Sequence, residues 1–101
     1  MSFEFQANFD EPLPPASLPR LKNYLVQNTA FDIVRDTGAE FALANRTKTE
    51  RTWSEEMLIV IDSSRVYLAF HSSNRQERAA FLAAVTKALQ HEGIMSTFEE
   101  L

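Results

Sequence analysis

The stretch Glu56-Met57-Leu58-Ile59-Val60-Ile61-Asp62-Ser63-Ser64-Arg65-Val66-Tyr67-Leu68-Ala69-Phe70-His71 decides the fold. Both halves are rich in β-branched, aliphatic and aromatic residues, and two small polar residues separate them, which is a hairpin pattern. With Ser63 and Ser64 as the loop, Asp62 faces Arg65, Val60 faces Tyr67 and Glu56 faces His71. Side chains alternate between the faces of a strand. One face therefore gathers Met57, Ile59, Ile61, Val66, Leu68 and Phe70 without a polar member. Such a face has to be buried, so this hairpin is the centre of a core.

Working outward, Phe31–Arg35 and Glu40–Ala44 form a second hairpin around Asp36-Thr37-Gly38. Between the hairpins, Asn45–Ser54 is polar, carries Arg46, Lys48, Glu50 and Arg51, and reads as a long exposed loop ending near Trp53. Further upstream, Phe3, Phe5, Ala7 and Phe9 alternate with Glu4, Gln6 and Asn8, as in a half-buried strand. Asp10-Glu11-Pro12-Leu13-Pro14-Pro15 ends it, because prolines donate nothing to a ladder. A short helix is predicted over Leu18–Asn28, with Ser17 as its N-cap and Pro19 in the first turn. Downstream, Asn74 and Glu77 have the spacing of a capping box. The helix that follows shows an apolar stripe of Phe81, Leu82, Val85, Ala88 and Leu89, with Gly93 as its C-cap. Ile94–Phe98 reads as a last strand.

This order, strand, helix, four strands, helix, strand, gives one α+β domain over residues 1–101. The expected architecture is a mostly antiparallel sheet with two helices on one face. It resembles an elaborated ferredoxin-like plan with an extra hairpin, the last strand lying beside the first.

Composition narrows the function. The 101 residues include no cysteine, which excludes disulfides, thiolate metal sites and a thiol nucleophile, and fits the cytosol. No secretory leader pattern and no apolar run of membrane-spanning length is present. The net charge of −4 disfavours nucleic acid and suits a basic partner. With only Gly38 and Gly93, the glycine-rich phosphate loops are missing. His71 and His91 lack metal-ligand spacing, and His91 near a helix C-terminus suits the helix dipole. Opposite Glu56, His71 has the outline of an oriented general base. No nucleophile stands beside it, and an ordinary cross-strand pair worth roughly 0.2–1 kcal/mol explains it as well. No catalytic residue, metal or cofactor is expected.

The informative surface is the sheet face away from the helices. It is expected to carry Leu58, Val60, Tyr67 and Ala69, joined by Val34, Ala42 and Ala44. A solvated sheet face is normally polar. An apolar centre rimmed by Asp32, Glu56, Asp62, Arg65 and His71 has the composition of an interface, with Tyr67 as anchor. Alternatively the first helix, the Asn45–Ser54 loop or the tail covers this face, or two copies pack through it as a homodimer.

The run from Trp53 to Leu101 resembles small bacterial immunity proteins that accompany toxins. The likeness lies in the hairpin Met57–Phe70, the helix opening Asn74-Arg75-Gln76-Glu77-Arg78 and the closing Phe98-Glu99-Glu100-Leu101. That resemblance implies a small acidic cytosolic protein that occludes a toxin domain by tight binding. The expected function is a non-enzymatic binding module. Leu58, Val60 and Tyr67 would make contact, with His71 beside them, and Asp32, Asp36, Glu56 and Asp62 would steer a basic protein. The alternative is a small homo-oligomeric domain that binds a small molecule between sheet and helices, with a cavity near Trp53.

Overall fold

The computed structural model describes residues 3–46, 55–71 and 73–101. The elements in chain order are β1 (Phe3–Phe9), α1 (Ser17–Asn28), β2 (Phe31–Asp36), β3 (Glu40–Asn45), β4 (Met57–Ile61), β5 (Arg65–Phe70), α2 (Arg75–His91) and β6 (Ser96–Glu100). The strands form one sheet in the order β2-β3-β4-β5-β1-β6, antiparallel at every junction. The α+β class, the element order, the two helices and the placing of the last strand beside the first are as the sequence implied. Most of the polar Asn45–Ser54 stretch, Trp53 included, lies outside the described residues.

The central hairpin has the expected register, with Val60 opposite Tyr67 and Leu58 opposite Ala69. Its core face, Met57, Ile59, Ile61, Val66, Leu68 and Phe70, is buried throughout. Ala7 of β1 and Phe41 and Leu43 of β3 extend that face across the sheet. Leu21 and Leu25 of α1 and Phe81, Val85, Ala88 and Leu89 of α2 cover it. Aromatic rings run through this layer edge to face. Phe5 meets Phe70 at 5.8 Å, Phe70 meets Phe81 at 6.2 Å, and Phe81 meets Phe31 at 5.4 Å. Phe81 thus ties α2 to both halves of the sheet.

The helix ends follow from local chemistry. At α2 the capping box forms in both directions, the Asn74 side chain accepting from the Glu77 amide and the Glu77 carboxylate accepting from the Asn74 amide. At the other end Gly93 takes φ +79°, where L side chains are strained. Its amide donates to Gln90 and the Ile94 amide donates to Leu89, which closes a Schellman motif. Ile94 is buried as the apolar partner of that motif. The last strand therefore begins at Ser96, two residues later than the periodicity of Ile94–Phe98 implied.

At α1 the expected Ser17 cap is not formed. Ala16 is the N-cap, without a side-chain hydrogen bond, and Ser17 is the first helical residue. The reason is the proline turn before it. The Ser17 amide donates to the Pro14 carbonyl at 2.9 Å and the Leu18 amide to the Pro15 carbonyl at 3.3 Å, so helical turns begin upstream and Ser17 lies inside the helix, not at its extended flank. The buried Ser17 hydroxyl instead accepts from Arg20 at 3.3 Å. Arg20 also grips Glu92, Nη2 reaching Oε1 at 2.7 Å and Nε reaching both carboxylate oxygens, which joins the start of α1 to the end of α2.

Two substitutions test this account. Phe81→Ala should cost about 3–5 kcal/mol, since it removes a buried ring and leaves a cavity. Asn74→Ala should cost about 1 kcal/mol through the lost cap. Urea denaturation of both variants, with m-values compared to the parent, checks the sizes.

Candidate functional site

The sheet face away from the helices is built by register. Reading across it, one row runs Arg35, Ala42, Leu58, Ala69, Glu4. The next runs Glu40, Val60, Tyr67, Gln6, Glu99. Below it Asp62 meets Arg65, whose neighbour on β1 is Asn8, followed by Thr97 on β6. Leu58, Val60 and Tyr67, three of the expected contact residues, are together on this face and are half-buried. Val34 is 50 % exposed. It sits at a bulge in β2, where the register shifts between Ile33 and Arg35.

The alanines expected to widen the apolar patch do not. Ala42, Ala44 and Ala69 are buried even though they lie on this face. A methyl group is short, and Ala42 lies between Arg35 and Leu58, while Ala69 lies between Leu58 and Glu4. The accessible apolar surface is therefore narrower and centres on Leu58, Val60 and Tyr67.

The expected steering groups divide. Asp32 stands at the rim and pairs with Arg46 at 3.0 Å, while Arg46 also donates to the carbonyls of Val26 and Phe31. Asp62 is exposed and caps its own turn, accepting from the amides of Ser64 and Arg65. Those amide bonds, first the one from Ser64, hold its carboxyl below the usual range. Glu56 is only 2 % exposed and accepts from the Asn45 amide at 3.3 Å, so it braces the β3–β4 connection and is no rim charge. His71 is half-buried at the end of β5, its amide donating to the Glu56 carbonyl at 2.8 Å. Asp36 is not on this face. Its partner in the sheet is Phe41, on the core side. Its carboxylate accepts from Lys22 of α1 at 2.8 Å, and that bond, with one from the Gly38 amide, pulls its pKa down.

Residues outside the expected contact set complete the rim. Arg35 donates to Glu40 and to Glu55, forming a charged bar beside Ala42. Glu4 accepts a hydrogen bond from the Tyr67 hydroxyl. Glu4 and Glu99 have no ion pair among the described residues. The alternation along Phe3–Phe9 gave the face of Glu4 and Gln6. Only the pairing of β1 with β5 puts them next to Tyr67.

At the β1–β6 end of this face, Gln6, Asn8, Asp10, Met95, Thr97 and Glu99 line a shallow open groove of about 400 Å³. The expected cavity near Trp53 falls outside the described residues. Among the described residues no helix is long and apolar enough to cross a membrane. No family model, curated protein or solved structure matches the chain.

The Tyr67–Glu4 bond makes a titration prediction. A carboxylate accepting from the phenol, helped by partial burial, pushes the Tyr67 pKa up to about 12. The folded state then holds this proton more tightly than the unfolded chain, whose phenol titrates near 10. The stability this confers is complete below about pH 10 and is lost as pH rises toward the folded value. Alkaline absorbance titration should show one phenol ionising near pH 12. That phase should move down in Glu4→Gln and vanish in Tyr67→Phe.

Proposed function

We propose that the chain is a non-enzymatic protein-binding module whose helix-free sheet face docks a basic protein. The supporting observation is the composition of that face. Leu58, Val60 and Tyr67 are half-buried at its centre, and the carboxylates Glu4 and Glu99, which have no ion pair among the described residues, stand at its rim. A Tyr anchored by its hydroxyl loses little side-chain entropy on binding, and an apolar centre with a charged rim is the usual anatomy of an interface. The net charge of −4 favours encounter with a positive surface.

The class of partner follows the resemblance of Trp53–Leu101 to immunity proteins. On this reading the chain is a cytosolic inhibitor that occludes a toxin domain by shape and charge. Inhibition of that kind needs no catalytic group, only a rigid, complementary surface whose anchor residues are held in place before contact.

The test compares tagged parent and Tyr67→Glu proteins as baits in lysate of the native cell. A basic protein should be retained by the parent in stoichiometric amount, released by salt, and bound roughly a hundredfold more weakly by the variant. Circular dichroism confirms that the variant is folded. If a folded Tyr67→Glu variant retains the same proteins equally well, this face is not the interface.

A further inference from the structure

The two edges of the sheet differ. β2 is interrupted by the bulge at Val34, a device that spoils edge pairing. β6 is regular, and among the described residues no backbone hydrogen bond is made along its outer side. The Leu101 amide donates to the Glu4 carbonyl, and the Asp10 amide donates to the Met95 carbonyl. Odd-numbered residues of this segment thus turn their backbone groups toward β1. In an antiparallel ladder the intervening residues, Ser96, Phe98 and Glu100, turn theirs outward.

The exposed large apolar residues of the described chain are Val34, Met95 and Leu101, and the last two flank β6 at its two ends. Both share the parity of Thr97 and Glu99, so both lie on the helix-free face. We propose that β6 is a self-pairing edge, which joins β6 of a second copy about a two-fold axis at Phe98.

The register follows from the side chains. Centred on Phe98, Met95 of one copy meets Leu101 of the other, Ser96 meets Glu100, Thr97 meets Glu99, and Phe98 meets its own counterpart. Each exposed apolar end covers the other, and each carboxylate faces a small or hydroxyl-bearing residue. The neighbouring registers are worse. Centring on Glu99 or Glu100 sets like charges directly opposite, which is destabilising. Centring on Thr97 puts Met95 against Glu99 and leaves Leu101 uncovered. In the favoured register the outward groups of Ser96, Phe98 and Glu100 form about six backbone hydrogen bonds across the axis.

A single strand pair is a small contact, so association is weak, with a dissociation constant of about 0.01–1 mM. The two Glu99 carboxylates lie diagonally across the axis, and salt screens their repulsion. Dimerisation therefore strengthens with salt, whereas docking of a basic protein weakens with it. The two-fold pairing joins two six-stranded sheets edge to edge and leaves Tyr67 accessible on each copy, so its failure and the failure of the binding reading are separable.

Sedimentation equilibrium of the full chain from about 10 µM to 1 mM tests this, with thermal melts to confirm folding. The parent should move from monomer to dimer across that range. Glu100→Pro removes an outward amide at an edge position that tolerates proline in the monomer, and should abolish dimer. Met95→Asp should weaken it at least tenfold. Thr97→Lys faces Glu99 of the other copy and should tighten it roughly threefold to tenfold, a gain that misfolding cannot mimic. A parent that stays monomeric at the top of the range overturns the proposal. So does a dimer that is insensitive to Thr97→Lys, whatever the fate of the proline variant.

Discussion

Burial of one hairpin face constrains the rest of this molecule. Met57, Ile59, Ile61, Val66, Leu68 and Phe70 present an unbroken apolar surface at the middle of the sheet, and only a layer as wide as two helices covers it. That need places α1 and α2 side by side on the same face. It sends the chain from β1 across to the far edge before it returns through β2, β3, β4 and β5. The helices are then fixed to each other at their ends by Arg20 and Glu92 and to the sheet by the rings around Phe81. The helices cover that face, so the other face of the sheet is left without a helical layer.

Much of this was legible in the residues because the signals were local. Alternation in Phe3–Phe9 and in the central hairpin fixed which side chains point inward, and the Asn74–Glu77 spacing fixed where α2 begins. The misses came from backbone groups finding other partners. Ser17 has the right side chain for a cap, but the turn bonds to Pro14 and Pro15 start the helix one residue earlier and leave Ser17 inside it. Ile94 continues an apolar pattern, yet it is spent on closing the Schellman turn.

The candidate site was less legible, for a related reason. Parity told which face Leu58, Val60 and Tyr67 share, and the structure brings them together. Parity could not tell how tall the neighbours of Ala42 and Ala69 would be. Nor could it place Glu4 beside Tyr67, since that depends on which strand β1 chooses. Asp36 and Glu56 had the right charge for a rim, but Asp36 is held on the core side by Lys22 and Glu56 is buried. Steering charge is a property of exposed surface, and exposure is decided by tertiary packing.

The position of β1 between β5 and β6 also bears on how the chain folds. β6 has β1 as its one strand neighbour in the sheet, and these two segments stand at opposite ends of the described sequence. Their pairing closes a very long loop, and such closures pay their entropy before any contact rewards them. The two hairpins, being local, are free to form early. That topology favours hairpins first, then β1 on β5, then β6 on β1. In the native state the dependence runs in reverse: a fluctuation that frees β1 from β5 also parts β6 from the rest of the sheet. Within the sheet, β6 is therefore tied to the central hairpin only by way of β1, although it is the last strand of the chain.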